Sequence, residues 1–192
     1  MILASKSPRR KEILENIGFN LVIKSEDIEE VSDKVEVVEK IKDIAYKKVE
    51  AVAKKYPNEY VVGADTIVEV DGDIIGKPKD EEEAKKILQR LSNRSHNVIT
   101  AFSFINKSKD ICIKDVAITK VYFKELSPEM IEWYIASKEP MDKAGAYGIQ
   151  DKGSIFVEKI EGDFFTVMGF PIERFMERLN ELGIKLKDIE RI

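Results

Sequence analysis

Apolar residues recur at helical spacing between positions 35 and 56, and a largely apolar segment, 60–70, follows directly. The spacing of the first segment places its apolar side chains on one face of a long amphipathic helix. The second segment is typical of a strand, and Asp71-Gly72 after it is a hairpin turn signal. The periodic residues of the helix are Val35, Val38, Ile41, Ala45, Val49, Val52 and Tyr56.

Helices and strands alternate along the rest of the chain as well. Further helices are predicted at 8–17, 81–91, 128–137 and 171–182, and further strands at 1–4, 20–23, 97–106, 111–123 and 154–160. The polar turn 107–110 predicts that the two long β segments around it pair as a hairpin. Residues 138–150 are expected to form an irregular loop. We therefore predict an α/β fold with a mixed sheet, formed by a single domain over residues 1–192.

Charge and composition exclude several classes of function. The net charge of −4 makes long nucleic acids poor candidates for the main ligand, because proteins that bind them are usually basic. No apolar segment approaches the roughly 20 residues that span a bilayer, and residues 1–4 lack the features of a signal peptide. The lone Cys112 excludes an internal disulfide and fits a reducing cytoplasm. Its apolar neighbours predict that it lies in the core.

The segment Ser5-Lys6-Ser7-Pro8-Arg9-Arg10-Lys11 crowds cations at the start of a helix. Ser7 is a predicted N-cap, and Pro8 suits the first helical position. Positive charge is unfavourable there because the helix dipole already places partial positive charge at this end. A bound phosphate group would reverse the sign of that effect. The alternative is a basic turn that is simply solvated.

Asp65 interrupts the apolar strand, with the small residues Gly63 and Ala64 before it. A carboxylate in such a strand is costly unless it is paired or holds a metal ion. The small neighbours leave room for a ligand to approach the backbone. The alternative is an aspartate at a strand end that caps a turn.

Two loops and a few single residues are weaker candidates. Pro78 restricts Lys77 to extended geometry, which can aim its ammonium group, although an exposed loop lysine is the more common case. The loop 142–150 alternates small and polar residues, as loops that contact ligands through their backbone often do. The only histidine, His96, is expected to be structural, which leaves little material for a catalytic triad. Trp133 and Phe164-Phe165 are expected in the core or in an interface.

Taken together, these segments resemble the Maf family of nucleotide pyrophosphatases. The shared motifs are LASKSPRR at 3–10, Glu30, Lys48, GADTIV at 63–68, GKP at 76–78, LSNRSHNVIT at 91–100, DKAGAYGIQ at 142–150 and GFPIERF at 169–175. Each motif alone is short, but all of them in this order are specific. The departures are Asn93 where the family usually has Gly, Val49 where Ala is usual and Phe170 where Leu is usual.

The resemblance implies a two-lobed fold like that of the inosine triphosphatase superfamily, with the site in a cleft. It also implies roles for single residues. Asp65 matches the proton acceptor, and Glu30 with Asp65 matches the region that holds a divalent cation, Mg²⁺ or Mn²⁺. The positions tied to base choice are Arg9, Thr66 and Gln150, and those that bind phosphate are Ser5, Arg10, Lys48 and Lys77.

The resemblance implies hydrolysis of dTTP and UTP to the monophosphate and pyrophosphate. Residue types alone equally allow release of the terminal phosphate. Two other functions stay open, a nucleotide-binding regulator of cell division and a pyrophosphatase for 7-methyl-GTP, although this sequence matches the dTTP/UTP branch at the base-choice positions. The expected partner is a nucleoside triphosphate, without nucleic acid or membrane, and a homodimer is an open alternative.

Overall fold

The computed structural model describes residues 1–192 as six α-helices and seven strands joined by short turns. The strands are β1 (Ile2–Leu3), β2 (Val22–Ile23), β3 (Val61–Val70), β4 (Asp73–Ile75), β5 (Ser95–Asn106), β6 (Ile111–Phe123) and β7 (Val157–Glu161). The helices are α1 (Pro8–Ile17), α2 (Val37–Lys55), α3 (Glu81–Leu91), α4 (Pro128–Ala136), α5 (Phe164–Met168) and α6 (Ile172–Glu181).

The strands form one mixed sheet in the order β2-β1-β3-β5-β6-β7, with β4 paired to β3. Strand β1 pairs in parallel with both β2 and β3, whereas β3–β4 and β6–β7 are antiparallel. Between β3 and β4, Asp71 and Gly72 have φ values of 55° and 84°, as a tight hairpin turn requires. The predicted α/β fold with a mixed sheet is confirmed.

The chain folds as two compact units. The first comprises residues 1–65, 100–117 and 169–192. In it, the predicted apolar face of α2 is confirmed by the complete burial of Ala45, Val49 and Val52, but its expected first residue, Val35, precedes the helix and is 89% exposed. The ring of Phe175 on α6 lies 5.3–5.8 Å from four other phenylalanine rings, those of Phe19, Phe102, Phe104 and Phe170. Helix packing and aromatic clustering therefore build this core.

The second unit comprises residues 66–99 and 118–168. Its core includes Val68 of β3, Leu88 of α3, Val121 of β6 and Tyr134 of α4, all at most 2% exposed. Helix α3 contributes Leu88 because its apolar residues recur every three to four positions while glutamates and lysines cover its other side. No helix of the structure has the length and apolar character to cross a membrane.

The prediction that Cys112 lies in the core was wrong. Cys112 is exposed, because side chains on β6 alternate between faces and it lies on the same outward face as Lys114. Trp133 is 48% exposed and Phe164 and Phe165 are each 39% exposed, so none of the three is a core residue, and the alternative that they lie in an interface stays a prediction.

Some element boundaries also differ from the prediction. The strand expected at 154–160 is a 3₁₀ turn over Lys152–Phe156, followed by β7. The loop 138–150 contains 3₁₀ turns at Glu139–Asp142 and Ala144–Ala146. Helix α5 and the 3₁₀ turn Leu186–Arg191 carry no strong periodic pattern and were not predicted.

Candidate active site

Ser5 and Arg10 organise the start of α1. The predicted N-cap, Ser7, makes no side-chain hydrogen bond to the helix. Its backbone N–H instead donates to Ser5 Oγ at 3.2 Å, and Arg10 Nη1 donates to the same oxygen at 3.1 Å. Arg10 Nε donates to the carbonyl oxygen of Gly169 at 2.9 Å. The Arg10 guanidinium is therefore held by two segments of the first unit.

The carboxylates of Asp65 and Glu30 favour the charged form of Arg10. The pKa of Arg10 is lowered overall, mainly because the side chain is withdrawn from solvent and to a lesser degree because Arg9 repels it. The negative charges of Asp65 and Glu30 oppose this shift. Arginine nevertheless keeps its charge at all ordinary pH values. The expected excess of cations at the helix start is thus partly balanced by Asp65 and Glu30 within the first unit.

Lys48 joins the same two carboxylates. Its Nζ lies 2.6 Å from Asp65 Oδ1 and 2.9 Å from Glu30 Oε1. The side chains of Lys48 and Asp65 are 17% and 14% exposed, whereas that of Glu30 is 60% exposed. Asp65 is therefore paired, as a carboxylate in an apolar strand must be.

Gly63 allows α2 to approach β3 closely. A Cβ atom at Gly63 would lie 2.8 Å from Val49 Cγ2 and 3.3 Å from Ala4 Cβ. Only glycine tolerates this separation. Because Lys48 precedes Val49, the close packing brings its ammonium group to Asp65.

Asp65 and Glu30 are the carboxylates of this unit that could hold a divalent cation. No group of three or more His, Cys, Asp or Glu side chains is arranged to hold a metal ion. Mg²⁺, however, is usually bound by one or two carboxylates together with water and substrate phosphates. Asp65 and Glu30, which meet at one Lys48 nitrogen, match that donor set.

The other three predicted site residues belong to the second unit. Thr66 follows Asp65 in β3 and is half-buried, whereas Lys77 and Gln150 are exposed. The loops that carry Lys77 and Gln150 are connected, because Gly145 N donates to the carbonyl oxygen of Gly76 at 3.1 Å. Ser5, Arg9, Arg10, Glu30, Lys48 and Asp65 belong to the first unit.

The hydrogen bonds that fix the 142–150 loop were not predicted from the sequence. Lys143 is only 7% exposed, and its Nζ donates to the carbonyl oxygen of Glu139 and to Asp142 Oδ1, both at 2.8 Å. The expectation that His96 is structural is confirmed, since it is buried and its Nε2 lies 2.8 Å from Tyr147 Oη. Burial lowers the pKa of His96 to about 4, so the ring is neutral at pH 7.

Comparison with known proteins identifies the family. The Maf-like protein family matches residues 1–182. This chain belongs to the Maf family. The "dTTP/UTP pyrophosphatase" of Fusobacterium nucleatum is 52% identical over 192 residues, which cover 100% of both chains. Proteins of the same name from Pyrococcus abyssi and Dictyoglomus turgidum are 46% and 45% identical, over 96% and 97% of this chain and 97% of each relative.

Among solved structures, that of the Staphylococcus aureus Ham1 protein aligns with a TM-score of 0.47 and 20% identity, over 64% of this chain and 70% of that one. This similarity is too distant to assign a fold, and the predicted likeness to the inosine triphosphatase superfamily stays a prediction.

The departures from the usual Maf motifs have structural explanations. Asn93 has φ 53°, a left-handed conformation that Gly adopts freely and that Asn tolerates better than most residues. Val49 packs directly against Gly63. Phe170 is fully buried, and its ring lies 6.0 Å from that of Phe102. None of these three replaces a charged residue of the candidate site.

Proposed function

We propose that this protein hydrolyses dTTP and UTP to the nucleoside monophosphate and pyrophosphate, with a divalent cation. One observation carries the proposal: the Asp65 carboxylate is embedded in an apolar strand and hydrogen-bonded to Lys48, beside Arg10. A site that only bound phosphates, without a metal ion, would gain nothing from a carboxylate among its cations. The relatives named dTTP/UTP pyrophosphatase support the same substrates.

Arg9, Arg10, Lys48 and Lys77 are the residues that we assign to the triphosphate. A nucleoside triphosphate carries roughly four negative charges, and these repel an attacking water oxygen unless cations offset them. Arg10 is preorganised for this role, because Ser5 Oγ and the carbonyl of Gly169 already fix its guanidinium. A bound Mg²⁺ or Mn²⁺ supplies further positive charge to the phosphates and to the leaving pyrophosphate.

Asp65 accepts a proton from the attacking water. A bond forms between the water oxygen and the α-phosphorus, and the bond from the α-phosphorus to the oxygen bridging to the β-phosphorus breaks. The proton passes to the Asp65 carboxylate, and the electron pair leaves with pyrophosphate. Lys48 orients the carboxylate through its 2.6 Å hydrogen bond to Oδ1, which leaves Oδ2 for the water.

The proposal is tested with a panel of natural and base-modified nucleoside triphosphates in the presence of Mg²⁺. Pyrophosphate and orthophosphate are measured separately. We expect dTTP and UTP to release pyrophosphate faster than the other natural triphosphates. Binding without turnover would instead identify a nucleotide-binding regulator, and preferred hydrolysis of 7-methyl-GTP would identify the other pyrophosphatase branch.

Base choice is assigned to Gln150, with Thr66 and Arg9. Uracil and thymine present a carbonyl acceptor beside an N–H donor, which a carboxamide held in one orientation matches. Gln150→Glu removes the amide donor. We therefore expect the kcat/KM for dTTP and UTP to fall by about tenfold or more, while that for CTP stays constant or rises.

The chain contains a matched control for this variant. Gln89 is exposed on α3, so Gln89→Glu makes the same chemical change away from the site and should leave all three substrates unaffected. An equal loss for dTTP, UTP and CTP in Gln150→Glu would show that Gln150 supports general site integrity. Base selection would then rest on Arg9 or on backbone groups.

A further inference from the structure

The segment Lys143–Gln150, here called the Gln150 loop, is tied to other segments of the second unit by hydrogen bonds from its backbone. Gly145 N donates to the carbonyl oxygen of Gly76, and Gly148 N donates to Tyr134 Oη, both at 3.1 Å. Tyr134 is completely buried in α4. The loop is thus attached to two different segments even though its last residue, Gln150, is exposed.

The backbone of the loop lies directly on its neighbours. Gly145 has φ 71°, and a Cβ atom there would lie 2.7 Å from Val68 Cγ2 on β3. A Cβ atom at Gly148 would lie 2.7 Å from Lys143 Cε. The branched Val68 side chain excludes larger residues at Gly145, whereas Lys143 belongs to the loop itself, so Gly145 is the position at which the loop packs tightly on β3.

His96 and Tyr147 form a second buried polar contact of this loop. His96 Nε2 lies 2.8 Å from Tyr147 Oη, and the two residues are 2% and 5% exposed. Their rings and that of Phe123 meet edge to face, with centroids 4.6–5.3 Å apart. Burial keeps both groups neutral, since it lowers the pKa of His96 to about 4 and raises that of Tyr147.

Packing alone does not explain a histidine at this position. His96 Nδ1 is buried without a hydrogen-bond partner, which costs free energy that an apolar side chain would avoid. A hydrogen bond, in contrast to apolar contact, fixes the distance and direction between two side chains. A polar pair that is retained at such a cost suggests that the exact placement of Tyr147 matters.

We propose that the His96–Tyr147 hydrogen bond is a positioning element for base recognition. It fixes the side chain of Tyr147, three residues before Gln150, and so limits the movement of the loop that presents the Gln150 carboxamide. A carboxamide that rotates freely would pair with uracil and with cytosine alike, so discrimination requires this constraint. The inference rests on the proposed function, because it assumes that Gln150 selects the base. His96 and Tyr147 are positioning residues and act through Gln150.

The test compares variants that remove or preserve the bond. Tyr147→Phe removes only the hydroxyl, His96→Leu removes the partner, and His96→Gln keeps an amide nitrogen near the position of Nε2. We expect Tyr147→Phe and His96→Leu to lower the ratio of kcat/KM for UTP to that for CTP by about tenfold or more. The change should appear mainly in the KM for UTP, since base contacts act in substrate and transition state alike. The ratio in His96→Gln should stay within about threefold of wild type.

Val121→Ala is the control for general destabilisation. Val121 belongs to the same core but lies on β6, where it pairs with Ile160 of β7. The Val121→Ala variant should have a lower melting temperature, while its ratio of kcat/KM for UTP to that for CTP stays unchanged. An equal fall of the ratio in Val121→Ala and Tyr147→Phe would overturn the inference, because the effect would then follow stability alone.

The remaining outcomes separate this inference from the proposed function. If Gln150→Glu lowers the ratio and Tyr147→Phe does not, the positioning role is wrong and the role of Gln150 stands. If Gln150→Glu leaves the ratio unchanged, the role in base recognition falls with the assignment of Gln150, and amide hydrogen exchange at Gly145 and Gly148 then tests only whether the hydrogen bond rigidifies the loop. Exchange in Tyr147→Phe that is about tenfold faster than in Val121→Ala would show that it does, and equal exchange would show that it does not.

Discussion

We expect the Asp65→Asn variant to hydrolyse dTTP with a turnover number at least about 100-fold below that of the wild type, the lower range for the loss of a general base. Asn keeps the shape of the side chain and can still contact Lys48, but it accepts no proton from water at neutral pH. Nucleotide binding should therefore survive. The measurement is kcat for dTTP at saturating nucleotide, together with Kd for a dTTP analogue whose α–β bridging oxygen is replaced by methylene.

Asp115→Asn is a close control for this variant. The side chain of Asp115 is 16% exposed, compared with 14% for Asp65, and it also pairs with cations, at 2.9 Å from Arg174 and 2.6 Å from Arg178. Asp115→Asn should lower the free energy of unfolding and leave kcat nearly unchanged. Near-normal turnover in Asp65→Asn would show that another group accepts the proton.

We expect Arg10→Ala to weaken binding of the methylene analogue by about 10- to 100-fold, the range that corresponds to loss of a hydrogen bond to a charged group. In thermal melts, a ligand stabilises the folded state according to the ratio of its concentration to Kd. The rise in melting temperature that the analogue produces should therefore shrink strongly in the variant. The free variant should also melt earlier than the wild type, because Arg10 holds Ser5 Oγ and the carbonyl of Gly169.

Arg178→Ala separates these two effects. Arg178 is half-buried in α6 and hydrogen-bonded to Asp115 and Glu181 in the first unit. Its replacement should lower the melting temperature of the free protein while the rise caused by the analogue stays as in the wild type. If the analogue stabilises Arg10→Ala as much as it stabilises the wild type, Arg10 does not bind the triphosphate.

The main elements were predictable because their patterns are local. The helical spacing at 35–56 and the apolar segment at 60–70 correspond to α2 and β3 with small shifts at the ends. The turn at Asp71-Gly72 was predictable because few residue pairs favour two positive φ values. Exposure of Cys112 was missed because both of its neighbours are isoleucine, although the alternation of side chains in a strand places Cys112 on the same face as Lys114.

For the candidate site, the sequence marks single residues, whereas the contacts between them come from the structure. An aspartate in an apolar strand and clustered cations at a helix start are costly without a ligand or a partner, and this cost marks Asp65 and Arg10. The contact of Lys48 with Glu30 and Asp65 joins positions 18 and 17 residues from Lys48, so no local pattern reveals it. The anchoring of the Gln150 loop by Tyr134 and His96 depends on tertiary packing and left no sequence signal.

The most direct test of the proposed reaction is hydrolysis of dTTP in ¹⁸O-labelled water with Mg²⁺, followed by mass analysis of the products. Water that attacks the α-phosphorus leaves its oxygen on the monophosphate. We predict equal amounts of dTMP and pyrophosphate, with one labelled oxygen in dTMP and none in pyrophosphate. Label in pyrophosphate would place the attack at the β-phosphorus, and release of orthophosphate with dTDP would show that a different bond is broken. Either result would contradict the proposed function.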